Sequence, residues 1–273
     1  LQVSDILLKN GTELLKLKEA LVKDYESLQQ TKLCKGILAC ILNVFCDSNK
    51  NPDLFNDSIA IFNEIFQPLY DNTKSMIDAE LLNHFAQALF KVNNYEETIN
   101  RINHTILIYN NDENDERFFD HAKAYSDLAN GYTNLIQKLF NEFRHNEYLE
   151  SILKEKARMI PTDEVKKELM EATKKADESY RVIGNIFLDA DMAFQNASYN
   201  YQNAGYLKQA VEAHLNNAEF LLKKESYQIK RDKVYTVARI ECDKAIKIDN
   251  KDFSTFLVKG TTYYSSRQYA KAI

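Results

Sequence analysis

Apolar residues along the chain recur at intervals of three and four, with no sustained strict alternation, so the pattern predicts helices and no strands. Reading the breaks between periodic stretches places helices at about 4–29, 33–47, 53–70, 74–92, 95–110, 116–143, 146–158, 163–188, 191–204, 207–224, 230–248 and 252–266, with a last one opening at 268. The breaks carry turn and capping chemistry: Asp47-Ser48-Asn49-Lys50-Asn51-Pro52, Tyr70-Asp71-Asn72-Thr73, Asn110-Asn111-Asp112, Ile160-Pro161-Thr162, Ala204-Gly205 and Asp249-Asn250. Six Gly and three Pro in 273 residues agree, because a many-stranded protein needs far more turn residues.

Small residues recur inside these helices, flanked by aromatics at fixed offsets. Thr255 to Tyr264 followed by Tyr269-Ala270-Lys271-Ala272 holds Gly260 and Ala272 where two antiparallel helices must approach, with Phe256, Tyr263 and Tyr269 around the contact. Tyr235, Ala238, Cys242 and Ala245 to Asn250 read as the helix before it. The signature returns at Leu82, Phe85-Ala86, Leu89, Tyr95 and Thr98, and at Tyr125, Leu128-Ala129 and Gly131-Tyr132. Weaker copies centre on Gly184 (with Tyr180, Ile183 and Phe187) and on Ala218 (with His214 and Leu221).

These residues resemble the tetratricopeptide repeat. Gly184 and Ala218 are 34 residues apart, the repeat's period, while 43 separate Ala86 from Ala129 and 42 separate Ala218 from Gly260, as in its lengthened forms. The resemblance covers about residues 74–142 and 176–273. It implies an all-α solenoid of antiparallel helix pairs wound into a right-handed superhelix. Four segments result: helical pairs, degenerate repeats or a cap over 1–73, repeats over 74–143, a charged helical insertion over 144–175, and repeats over 176–273 with the last one truncated. The insertion reads as a solvated amphipathic helix packed on its neighbours, or as a protruding contact arm or hinge. The start at Leu1 and the cut last repeat read as a piece of a longer protein.

In the tetratricopeptide family the first-helix positions three before, one after and five after the small residue face the inner groove. Carried over, the lining is Asn83, Gln87 and Lys91 about Ala86; Ser126, Asn130 and Asn134 about Ala129; and Arg181, Asn185 and Asp189 about Gly184. Leu215, Glu219 and Lys223, then Leu257, Thr261 and Ser265, follow as a more apolar surface. An amide offers donors and an acceptor together, so a row of Asn and Gln can hold a peptide backbone with little regard to its side chains. Asn216 stands where chaperone-binding members use an Asn to grip a C-terminal carboxylate, but Ser254 and Val258 occupy the positions of the cations.

Charge and catalytic motifs remove other classes. Thirty-five basic residues against 40 acidic ones disfavour nucleic acid as the partner. His84, His104, His121, His145 and His214 are scattered, and no metal, nucleophile-elbow or phosphate-loop motif occurs, so no catalytic residue, metal or cofactor is expected. Cys34, Cys40 and Cys46 lie six apart and point in three directions on a helix, and Cys242 is remote, so the thiols are structural and the compartment reducing. Asn103-His104-Thr105 and Asn196-Ala197-Ser198 match the glycosylation triplet but fall inside helices. No stretch is long and apolar enough to span a membrane, and the first ten residues lack a signal-peptide pattern.

The reading is a cytoplasmic, non-catalytic scaffold or adaptor of a larger assembly, with cytoskeletal, ciliary, cargo and vesicle-fusion settings open. Its partners are peptides or helical segments of other proteins held in the groove. The alternatives are a peptide-sensing or co-chaperone regulator and a docking module of a larger enzyme.

Overall fold

The computed structural model describes residues 35–44, 53–66, 75–111, 118–226 and 231–272. The expected helix at 4–29, Cys34, Cys46 and the breaks at 47–52 and 70–73 lie outside the described residues. The chain divides into two compact units, Leu1–Glu113 and Asn114–Ile273. Among the described residues both are helical throughout, as the absence of alternation predicts.

The first unit holds α1 (35–44), α2 (Asp53–Phe66), α3 (Met76–Lys91) and α4 (Tyr95–Asn110). Ser75 starts α3 with a capping box: its hydroxyl accepts from the Asp78 backbone N–H, and the Asp78 carboxylate accepts from that of Ser75. Phe62, Phe66 and Phe85 stack at the centre of this unit, Phe62 and Phe85 with ring centroids 5.1 Å apart.

The second unit holds α5 (Phe118–Met159), α6 (Asp163–Asn203), α7 (Leu207–Ser226), α8 (Arg231–Ile248) and α9 (Phe253–Ser265), then a short 3-10 turn at Tyr269–Lys271. Two expected breaks are absent. The helices expected at 116–143 and 146–158 are one helix, Phe118–Met159, and those expected at 163–188 and 191–204 are one helix, Asp163–Asn203. Arg144-His145 and Asp189-Ala190-Asp191 interrupt the apolar pattern, but none of these residues breaks a helix. Residues 144–175 are therefore the distal parts of two continuous helices of 42 and 41 residues rather than a separate inserted pair. Thr162 caps the return helix, its hydroxyl accepting from the Val165 N–H at 3.3 Å.

One turn is built three times. Asn93, Gly205 and Arg267 all stand in the left-handed region, at φ 61, 77 and 60°. At each, the next residue's N–H reaches back five positions: Asn94 to the Leu89 carbonyl, Tyr206 to Tyr201 and Gln268 to Tyr263. Glycine takes this conformation without strain, while Asn93 and Arg267 are held in it by these bonds.

The helices that follow return to the same level. Thr98 donates through its hydroxyl to the Ala86 carbonyl at 3.4 Å, twelve residues back. The equivalent pair reverses the roles: Ser198 donates to the Ala210 carbonyl at 3.0 Å. At the third, Ala272 O lies 3.1 Å from where a Cβ on Gly260 would stand, so only glycine fits there without displacement. A longer connection precedes a fourth copy in the first unit, where Ser58 donates to the Ala39 carbonyl at 3.1 Å. Small residues at the crossings thus let one helix's hydroxyl reach its neighbour's carbonyl, which is the packing that the signature implies.

Ala86, Ala129 and Ala218 are fully buried, as expected of crossing residues. Gly184 is not one of them: nothing lies within 4 Å of its Cβ position. The residue equivalent to Ala86 on α6 is Ser198, and the 34-residue spacing measured from Gly184 was not a structural period.

Candidate protein-binding face

In the first unit α1 and α3 pack side by side. Gly36 meets the Leu81 side chain, and the Asn43 amide donates to the His84 carbonyl at 2.9 Å. Asn83, Gln87 and Lys91 lie one turn apart on α3; Asn83 and Gln87 are half-buried and Lys91 is exposed. The side-chain carbonyls of Asn43 and Asn83 are both shielded from solvent, and neither accepts a hydrogen bond from the described residues. Each is a buried acceptor left without a donor, which a ligand's N–H group would satisfy once the side chain turned outward. Sequence reasoning reached Asn83 and missed Asn43, whose placement depends on the pairing of α1 with α3.

In the second unit the expected lining residues have varied surroundings. Ser126 is turned to α6, where it shares a hydrogen bond with the Tyr201 hydroxyl. Asn134 is tied to its own helix, its amide donating to the Asn130 carbonyl at 2.9 Å, and the Asn130 side chain is exposed. Arg181 and Asn185 are exposed on α6, the return helix of the long hairpin, and the glycine that placed them is not at a crossing. The offsets counted from Gly184 therefore do not by themselves place these two residues in a lining. They share a helix face with Gln195 and Tyr199, which flank Ser198 fourteen residues on, close to four turns. Leu215 is buried, whereas Glu219, Lys223, Leu257, Thr261 and Ser265 are exposed.

Asp127 stands beside this lining. Burial pushes its carboxyl up to about 6, against a smaller opposing pull from Lys123, and its Oδ2 is shielded without a hydrogen-bond donor. A folded-state value above the ordinary 3.8 means that the protonated form favours folding: this contribution is full below about 4 and is lost as pH rises through 6. Asp127→Asn is therefore expected to raise the unit's stability by about 1–2 kcal/mol at pH 7.5, and by much less at pH ~4.5, in urea melts at the two pH values.

Cys40 and Cys242 carry free thiols. Burial first, then Glu80, pushes Cys40 up to about 11, and burial first, then Asp243, pushes Cys242 up to about 12. Thiols so rarely ionised are weak nucleophiles and metal ligands, in line with a structural role. Among the described residues no group of three or more His, Cys, Asp or Glu could hold a metal ion. Where a carboxylate-gripping site would need cations, Ser254 instead donates to the Asp252 carboxylate and Val258 is buried.

No protein-family model matches the chain, and no curated protein matches it in sequence. Solved structures do. BtubC (BKLC) from P. vanneervenii is 11% identical and superposes at a TM-score of 0.50, over 97% of this chain and 87% of that one. The TPR2AB domain of yeast Sti1, solved as a pHSP90 complex, is 18% identical over 87% of each chain at a TM-score of 0.26. A human IFIT1 dimer with PPP-AAAA is 14% identical over 96% of this chain and 70% of that one, at 0.21. The first likeness bears on the fold; the other two superpose too loosely to add to it. That first likeness is one of fold alone, an all-α architecture of antiparallel helix pairs.

Proposed function

We propose that this protein is a non-catalytic scaffold or adaptor that holds an extended segment of another protein against α3 of its first unit. The observation that carries the reading is the pair of shielded amide carbonyls at Asn43 and Asn83, beside Gln87. A partner backbone presents N–H groups at regular spacing, and these would satisfy both acceptors. Gln87 offers a donor and an acceptor one turn further on. In the second unit Asn130 offers the same chemistry from α5.

A larger cytoplasmic assembly is the setting that agrees best with this reading. Among the described residues no helix is long and apolar enough to cross a membrane. The excess of acidic over basic residues argues for protein rather than nucleic acid as the partner.

The test is a photo-reactive side chain, introduced in place of Gln87 and separately in place of Asn100, which is exposed on α4. The expected result is cross-linking of a discrete partner in cells from position 87 and not from position 100, reduced at least about tenfold by Asn83→Ala, a loss on the scale of one buried hydrogen bond to an amide. Equal labelling from both positions would count against the face.

A further inference from the structure

The long hairpin extends well past the helix packed on it. Ser198 meets Ala210, Asp191 accepts from Asn217, and Phe187 packs on Phe220, a register that brings the end of α7 level with about residue 182. Across the hairpin, Phe143 packs on Tyr180 and Thr173 donates to Glu150, so residues near 141 lie opposite that level. Beyond it, among the described residues of this unit, about 142–159 and 163–181 pair with each other alone, over about 27 Å at 1.5 Å per residue.

This arm has two faces. On α5, Asn146, Glu150, Leu153 and Ala157 are half-buried toward α6, where Val165 and Ala176 are buried and Leu169 and Ala172 half-buried. That seam is thin, since three of its members are alanines. On the opposite side of α5, His145, Tyr148, Ile152, Glu155 and Met159 are all exposed at intervals of three and four. That spacing is the a/d stripe of a coiled coil, and Tyr148 and Ile152 are 64% and 46% exposed. The outer stripe of α6, by contrast, reads Lys167, Met170, Lys174, Asp177 and Arg181, with one apolar residue among charges.

Charge indicates what covers the α5 stripe. Residues 144–181 hold nine Lys and Arg and nine Asp and Glu, so the arm is neutral and the whole chain's −5 lies elsewhere. Two arms can therefore approach without the mutual repulsion that opposes other pairings of this chain. The stripe is also complementary to itself when reversed. An antiparallel copy that sets Tyr148 over the partner's Ile152, and Ile152 over the partner's Tyr148, also sets each His145 over the partner's Glu155. Glu155 is already held by Arg158 of its own helix at 2.6 Å, in an exposed pair that a second donor can join.

We infer that the arm's outer face, Tyr148, Ile152 and Met159, is a homodimerisation surface that takes the same face of a second copy in antiparallel, two-fold fashion. The contact is reversible, because an interface of one helix per partner is small against the area of a permanent dimer. It does not depend on the peptide-binding face.

Sedimentation velocity of the full chain across roughly 1–200 μM is expected to show a shift from the 31.7 kDa monomer toward twice that mass. Ile152→Glu is expected to remain monomeric throughout, while Met170→Glu, on the polar outer face, dimerises like the wild type. Both side chains are exposed, so unchanged circular dichroism and melting should accompany either change. Ile152→Cys gives an independent readout: a short bis-maleimide should link two chains of this variant above the wild-type background, and should not link those of Met170→Cys. A chain that stays monomeric at every concentration, equal dimerisation of Ile152→Glu and wild type, or equal loss with Met170→Glu would overturn the inference.

Discussion

His214→Leu is expected to lower the stability of the second unit by about 3–5 kcal/mol, far more than the lost packing of the ring. His214 on α7 and Glu241 on α8 are both buried, Glu241 with 1% of its surface exposed, and Nδ1 of the imidazole stands 2.7 Å from Oε2. An ionised carboxylate has no proton to give, so Nδ1 is the donor. Lys244 donates to the other oxygen at 2.6 Å from the helix surface. Burial alone would raise the Glu241 carboxyl; the hydrogen bonds from His214 and Lys244 outweigh it and hold the group below its ordinary 4.5.

Removing the imidazole leaves that carboxylate buried with one donor fewer, whereas His214→Leu/Glu241→Leu removes both polar groups together. The double variant should recover more than half of the loss, and this non-additivity marks a coupled pair. The pH dependence has a definite sign. A folded-state value below the unfolded one contributes stability that is full above about 4.5 and is lost as pH falls through the folded value. The gap between wild type and Glu241→Gln in urea melts should therefore narrow from pH 7 to pH ~3. A single variant within about 0.5 kcal/mol of wild type at pH 7 would contradict this account of the pair.

Phe85→Ala should cost the first unit about 3–5 kcal/mol, through lost burial and the cavity left behind. Its ring is fully buried, stacks on Phe62 and on Phe66, and carries the Arg101 guanidinium 4.8 Å above its centroid. Arg101 is itself 6% exposed and paired with Glu97, so the truncation also withdraws the aromatic face from a buried cation. Phe85→Leu keeps most of the volume and should cost roughly half as much. Thermal melts of the two variants check the ranking; equal losses would show that cavity volume does not control this site.

Much of the fold was legible because helix periodicity and small residues act locally. Helix α4 ends where the sequence places it, and Ala86, Ala129 and Ala218 are buried as the repeat signature predicts. The errors have one physical source. The exposed Arg144 and His145, and the Asp189 and Asp191 that flank a buried Ala190, look like punctuation, yet none of them breaks a helix. Reading a break there hid the 41-residue α6 and shifted its crossing from Ser198 to Gly184. A hydroxyl at a crossing was harder to see than glycine because serine is small but polar; its clue was the twelve-residue step to Ala210, equal to that from Ala86 to Thr98.

The candidate site was legible only in part. Asn83 and Gln87 follow from local spacing, but Asn43 and Asp127 matter through groups on other helices, which spacing along one helix cannot reveal.

The account rests on which small residues sit at helix crossings, and paired urea melts of Ala86→Leu and Gly184→Ala test it most directly. Ala86→Leu is predicted to lose about 1–3 kcal/mol, because added methylenes must enter a filled crossing. Gly184→Ala is predicted to gain about 0.5–1 kcal/mol, because its Cβ meets open space and alanine is the better helix former. A destabilised Gly184→Ala beside an unaffected Ala86→Leu would contradict it.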